Sequence, residues 1–504
     1  MRRTLGEVKR GRQMYLRTMP RPTGVRILAA TLGTRAAMAF LIVLAALAFL
    51  MYVAYRGHSV ILFAPVAALG AVLLTDPALV PPMFTGLFMD KMVGFLKLYF
   101  PVFLLGAVFG KLIELSGFSR SIVAATIRLV GAKRAILSIV LVCALLTYGG
   151  VSLFVAVFAV YPFAAELFRQ SDIPKRLIPG TIALGAFTFT MDALPGTPQI
   201  QNIIPTTFFG TTAWAAPVLG TLGGVFILIV GLLYLESRRR NAAAAGEGYG
   251  DPATLVNEPA SFSGERLASA WVALLPLVLV GVSNRLFTAW IPRFYGESSS
   301  FDPAVIGDAA PVVQETAKVA GIWAVEGALL IGIATVLLLA WRPVITRFVE
   351  GSRAAISGAL LASMNTASEY GFGAVIAALP GFLVVSTALS SIPDPLVNTA
   401  VTVTSLAGIT GSASGGMGIA LAAMAEQFIA QADAAGIPME VLHRVASMAS
   451  GGMDTLPHNG AVITVLAVTG LTHRQAYRDI FAVTLIKTAA VAVVIGLYYL
   501  TGLV

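Results

Sequence analysis

Apolar stretches recur along almost the whole chain, and they decide what surrounds it. They lie near residues 36–55, 59–75, 93–115, 177–206, 213–235, 267–290, 317–341, 354–379, 442–470 and 479–501. A helix needs about 20 such residues to cross about 30 Å of hydrocarbon, so most of these stretches fit one crossing each, with 59–75 at the short limit. Hydrophobic residues make up 57% of the 504 and charged residues 12%, whereas a soluble domain carries about 25% charged residues. Lipid must be the outer solvent, and the expected fold class is an all-α polytopic membrane protein.

Two further stretches do not fit one crossing. Residues 135–168 run for 34 positions without an obligatory polar stop, about 51 Å as a single helix. Residues 396–432 would reach about 55 Å. Small residues interrupt each near its middle: Tyr148-Gly149-Gly150 in the first, Gly411-Ser412-Ala413-Ser414-Gly415-Gly416 in the second. Half of either stretch is too short to cross, so both are expected to be re-entrant helical hairpins with tips inside the membrane. Non-helical backbone is tolerated at that depth where protein or a cavity surrounds it.

The chain also repeats itself. Leu115-Ser116-Gly117-Phe118 returns as Leu379-Pro380-Gly381-Phe382, and Ile173-Pro174 returns as Ile437-Pro438, both 264 positions later. Met191-Asp192-Ala193-Leu194-Pro195 returns as Met453-Asp454-Thr455-Leu456-Pro457, 262 positions later. Two such halves are a recurrent way to build a transporter. The link after the first hairpin carries Arg169, Lys175 and Arg176, and the link after the second carries Asp433 and Glu440. The excess of positive charge on cytoplasmic loops sets the two links on opposite sides, so the repeats are expected to be inverted. The expected organisation is a basic N-terminal extension over 1–37, a first half over 38–235, a flexible cytoplasmic linker over 236–266 and a second half over 267–504. Residues 1–35 hold nine Lys/Arg against Glu7, a charge that conflicts with the topology counted back from the later loops. Residues 1–37 are therefore expected to be a misassigned start or a dispensable tail.

Ionisable groups inside a membrane are costly, about 2.5–3.5 kcal/mol each on insertion scales, so each needs a reason. Asp192 and Asp454 are the repeat-related pair. A proline three residues after each removes a helix donor and clashes with the preceding turn. Each helix should open there, exposing Thr197, Gln199, Gln201 and Asn202 in one half and His458 and Asn459 in the other. The bland alternative is that each aspartate only caps its own half-helix. Ser152 in the first hairpin, and Ser412 and Ser414 in the second, put hydroxyls beside helix N-termini whose partial positive charge suits an anion. Small-residue packing is the competing reading for the scattered glycines. Glu369, in the polar run Asn365–Tyr370, is a proton carrier or a satisfied structural acid. His458 can titrate near neutral pH, while His58, His443 and His473 read as interface or loop residues. No HExxH, nucleotide-phosphate loop or Cys ligand pair occurs, and Cys143 is the one cysteine; zinc-protease and ATP-driven activities have no support. An intramembrane aspartyl protease would need a GxGD-like segment, which Gly452-Met453-Asp454 does not supply. A passive channel suits paired hairpins less well than alternating access does.

Residues 190–211 and 411–470 resemble the GntP gluconate permease family of the ion transporter superfamily, and the likeness covers roughly 38–504. The resemblance implies proton symport of small hydroxy- or monocarboxylates through two inverted repeats, in a multi-pass protein of a bacterial plasma (inner) membrane. It carries over Asp192, Pro195, Asn202, Gly411, Ser412, Ser414, Asp454, His458 and Asn459 as site residues. Gluconate permeases usually have an acid at the first hairpin tip, where this chain has Gly149-Gly150; its Tyr-Gly-Gly-Val-Ser version is more like the 3-hydroxybutyrate or short-chain-acid branch.

Substrate binding is thus expected from Ser152, Asp192, Thr197, Asn202, Ser412, Ser414 and Asn459, and proton coupling from Asp192, Asp454, His458 and Glu369. No cofactor or metal is expected, with sodium left open as the coupling ion. The expected partners are a small carboxylate and the lipid bilayer, with no nucleic acid and with a homodimer left open. No arginine or lysine lies in either hairpin or beside either M-D-x-L-P motif, so a monocarboxylate is expected ahead of a di- or tricarboxylate, whose extra charge would go unmatched in low dielectric.

Overall fold

The computed structural model describes residues 23–56, 58–131, 134–151, 153–250, 255–259, 267–301, 311–390, 392–457 and 459–504. Helices dominate. In the first half they are α1 (Thr23–Tyr55), α2 (Val60–Thr75), α3 (Met89–Leu115), α4 (Phe118–Val130), α5 (Ala135–Tyr148), α6 (Leu153–Gln170), α7 (Ile178–Ala186), α8 (Ile200–Phe209) and α9 (Pro217–Ala244). The second half contributes α10 (Ala270–Tyr295), α11 (Thr316–Leu339), α12 (Phe348–Ala378), α13 (Pro380–Ser390), α14 (Pro395–Thr410), α15 (Ala413–Ala434), α16 (Met439–Ser450), α17 (Gly460–Thr469) and α18 (His473–Thr501). Among the described residues, five helical stretches are long and apolar enough to cross a membrane: 77–115, 217–244, 270–295, 316–339 and 473–501. The protein is an all-α polytopic membrane protein, apart from a small ribbon in the loop after α10. There β1 (Ser298–Phe301) pairs antiparallel with β2 (Val312–Glu315), Ser298 opposite Glu315.

Both over-long stretches are helix–turn–helix. The first is α5 and α6, of 14 and 18 residues, about 21 and 27 Å long. The second is α14 and α15, whose tip is two caps back to back. Gly411 ends α14 in the left-handed conformation, φ 65°, which only glycine adopts without steric cost. Ser412 then caps α15, its Oγ accepting from the Gly415 N–H at 3.0 Å. Gly416 is required as well, because a Cβ there would run into the backbone of Ala407 across the tip.

The two proline motifs break their helices as the sequence anticipates. After α7 the chain makes one helical turn, Phe189–Asp192, and then none until α8 begins at Ile200. After α16 the described residues form no helix until α17 begins at Gly460. Each hairpin packs on the broken helix of its own half, α5 on α7 and α14 on α16, and the halves interlock where α8 packs against α15 and α16.

The segment after α9 departs from expectation. Composition suggested a flexible linker over 236–266, but residues 236–244 continue α9, with Glu236 paired to Arg239 and Arg240. Beyond them several described residues are pinned down. Arg176 donates to both carboxylate oxygens of Glu247, at 2.6 and 2.7 Å. The Tyr249 N–H donates to Asp172 and the Tyr249 carbonyl accepts from the Lys175 N–H. Lys175 and Arg169 both pair with Glu258. Asn257 completes the strap: its carbonyl accepts from the Tyr161 hydroxyl on α6 at 2.8 Å, and its amide donates to the Ala467 carbonyl on α17 at 2.9 Å. Complementary charge, invisible to a composition count, turns a polar linker into a strap across both halves.

Candidate substrate and coupling site

The first broken helix exposes main-chain carbonyls, and α16 of the other half satisfies them. Arg444, fully buried, donates from Nη1 to the Asp192 carbonyl and to Asn202 Oδ1, each at 3.0 Å, and from Nε and Nη2 to the Ala215 carbonyl at 3.2 and 2.7 Å. Ser447 Oγ lies 2.8 Å from the Asp192 carbonyl and 3.0 Å from that of Gln201. His443 places Nδ1 2.6 Å from the Thr211 hydroxyl and Nε2 3.3 Å from Asn202 Oδ1. A planar guanidinium fork matches several acceptors at fixed angles, so Arg444 acts as a staple between halves.

The second break is held by α18. Lys487 Nζ pairs with the Asp454 carboxylate and donates at 3.1 Å to the Phe187 carbonyl, which ends α7 of the first half. Thr488 Oγ1 donates to the Gly452 carbonyl at 2.6 Å. The two motifs meet: Asp192 Oδ2 lies against Gly451, where any side chain would strike it.

Glu369, on α12, reaches the tip of the second hairpin. One carboxyl oxygen shares a hydrogen bond with Ser412, while Oε2 is buried with no hydrogen-bond partner and lies where a Cβ on Gly415 would have to be. Beside it Thr366 Oγ1 and Ser414 Oγ are 3.2 Å apart, and the buried Ser368 hydroxyl has no partner. Asn459 links this tip to the second break. Its Nδ2 donates to the Gly411 carbonyl at 2.7 Å, while its Oδ1 caps α17 by accepting from Ala461 and Val462.

Asn202, an expected substrate ligand, donates its amide to the Thr197 and Ala213 carbonyls, and its oxygen accepts from Arg444. Thr197 spends its hydroxyl on the Thr190 carbonyl at 2.7 Å. Both hold the break in shape, because opened backbone in a dry interior must be hydrogen-bonded by something. His443, read from the sequence as an interface or loop residue, is fully buried between the halves. The premise that no cation stands beside the motifs is corrected too, since Arg444 and Lys487 both do. Neither carries a local signal: Lys487 is 33 residues from the aspartate it pairs with, and Arg444 serves the other half's motif. Ser152 and His458 lie outside the described residues. At the first tip, the Tyr148 hydroxyl donates to the Pro195 carbonyl at 2.8 Å. A mostly apolar cavity of about 470 Å³ adjoins that tip, walled by Tyr148, Gly149, Trp214, Leu277 and Arg285. Leu145, Val278 and Leu286, which also line it, are exposed.

No protein-family model matches the chain. The uncharacterized transporter YxjC of Bacillus subtilis (strain 168) is 62% identical over 461 residues, covering 90% of this chain and 97% of the relative. The chain belongs to the family of that transporter. The crystal structure of the Alcanivorax borkumensis YdaH transporter, described as having an unusual topology, aligns with this transporter at a TM-score of 0.46 and 14% identity, over 85% of this chain and 90% of that one.

Proposed function

We propose that this transporter is a proton-coupled permease of the GntP type, working through two inverted halves in a bacterial plasma membrane. Its substrate is a small monocarboxylate or hydroxy acid, with 3-hydroxybutyrate ranked ahead of gluconate and both ahead of citrate. The observation that carries the reading is Glu369 at the second hairpin tip, a buried carboxyl with one oxygen unpartnered beside the N-terminus of a 22-residue helix. Protonated, it can stand next to an arriving anion; ionised, it would repel that anion and, with one oxygen unpartnered, be expensive to keep buried. That is the reciprocity symport needs. The N-terminus of α15, with Ser412 and Ser414, offers the partial positive charge and hydroxyls to meet one carboxylate. Asp192 is the second candidate for the proton. Asp454, held by Lys487, ranks behind both, and Asn459 positions the tip.

Arg444 does not reopen the case for a tricarboxylate, since four of its five N–H groups are already spent on carbonyl oxygens. The test is uptake of labelled 3-hydroxybutyrate into vesicles containing the purified protein. An acid-outside pH gradient should drive accumulation, and exchanging sodium for choline should leave it unchanged. An absolute sodium requirement would convert the assignment to a sodium-coupled carboxylate transporter. Strong competition by citrate, with none by short monocarboxylates or gluconate, would overturn the substrate class.

A further inference from the structure

The M-D-x-L-P motif is duplicated, but the ammonium beside it is not. Lys487 pairs with Asp454 in the second half, while the positions 262 and 264 residues earlier are Val225 and Gly223. The lysine side chain is 1% exposed. Its two oxygen partners belong to different halves, the Asp454 carboxylate at one break and the Phe187 carbonyl at the other. Asp192 is close enough to both Lys487 and Asp454 to interact with them electrostatically.

Carboxylate and main-chain carbonyl oxygens converging where two broken helices meet are the donor set that hard cations take in transporters built of discontinuous helices. A lysine ammonium carries the same single charge as sodium and directs its hydrogens at the same kind of oxygens. We propose that Lys487 is a tethered cation occupying an alkali-cation position at the crossing of the two breaks, so that this transporter takes up no free sodium there. This rests on the reading of the protein as a secondary transporter, and it names the residue that decides which cation the site accepts. Lys487 acts through Asp454 and the Phe187 carbonyl, and is a positioning and specificity-determining residue.

The experiment uses the purified full-length protein in detergent, with sodium chloride, potassium chloride and choline chloride at equal concentration as probes. The wild type should melt at the same temperature in all three. Lys487→Ala should be stabilised by several degrees in sodium over choline, because a ligand that binds only the folded state raises the melting temperature. If Lys487→Ala folds only in sodium, that supports the proposal equally. The double variant Lys487→Met/Asp454→Asn, which removes the carboxylate as well as the amine, should show no sodium response. Lys487→Ala melting alike in all salts, or failing to fold in any of them, overturns the proposal. A sodium response that persists in the double variant overturns it too, since the ion would then bind elsewhere. These readouts need no transport, so they stand apart from the vesicle assay: sodium-dependent wild-type uptake would defeat the proton-symport reading, whereas the salt response of the variants alone judges Lys487.

Discussion

Arg444 Nη1 donates to the main-chain carbonyl of Asp192, 252 positions earlier in the chain and at the break of the opposite half. The same guanidinium holds Asn202 Oδ1 and the Ala215 carbonyl, so one side chain closes three acceptors around the first break. Gly220 makes room for it, since a Cβ there would fall 2.9 Å from Arg444 Nε.

Arg444→Met should therefore destabilise the protein severely. Removing one member of a buried polar network leaves the others desolvated and unpaired, at a cost of about 3–5 kcal/mol. Arg444→Lys should recover little, because an ammonium cannot span acceptors that a planar fork reaches. Melting temperature and yield of the purified variants are the measurements. A lysine variant as stable as wild type would show that charge rather than fork geometry is what the site needs.

Glu369→Gln should separate accumulation from binding. The amide fills the same space and cannot release a proton, so pH-driven accumulation should vanish while exchange of labelled for unlabelled substrate persists. Unchanged accumulation would remove Glu369 from coupling. Gly415→Ala should abolish both activities, because its Cβ would collide with Glu369 Oε2 at the hairpin tip.

The strap after α9 should respond to acid. The hydrogen bond from Arg176 holds the Glu247 carboxyl below the usual carboxylate range. Burial pushes Glu258 up, but hydrogen bonds from Lys175 and Arg169 outweigh it and leave that group low as well. A depressed carboxyl contributes fully above its unfolded value, about 4.3, and the contribution is lost as pH falls through the lower folded value. A spin label on Leu255→Cys should stay immobile at neutral pH and gain mobility only below about pH 4. Glu258→Gln should mobilise the label already at neutral pH; an unchanged spectrum would mean that the ion pairs do not fasten the strap.

Gly470→Ala tests the far end of the strap. Gly470 has φ 66°, and its Cβ would approach the Val256 carbonyl to 2.6 Å. The variant should raise amide hydrogen exchange across 255–259 while leaving α17 protected. Protection unchanged at 255–259 would show that the strap tolerates the intrusion.

The sequence by itself determined the solvent, the helical class, the over-length of 135–168 and 396–432, and the opening of two helices at Asp192 and Asp454. Each of these follows from local quantities: apolar run length against membrane thickness, glycine at a left-handed cap, proline removing a donor. Tertiary structure alone decided what satisfies the opened backbone. Arg444, His443 and Lys487 have ordinary neighbours in sequence, and become central because α16 and α18 carry them across: Arg444 and Lys487 to first-half carbonyls, Lys487 also to Asp454, and His443 to the Asn202 and Thr211 side chains. It also decided which groups Asn202 and Thr197 hydrogen-bond, and that the 236–266 segment is in part fastened. Local sequence shows where a helix must lose its hydrogen bonds, but a distant segment supplies the replacements, because a dry interior leaves no water to do so.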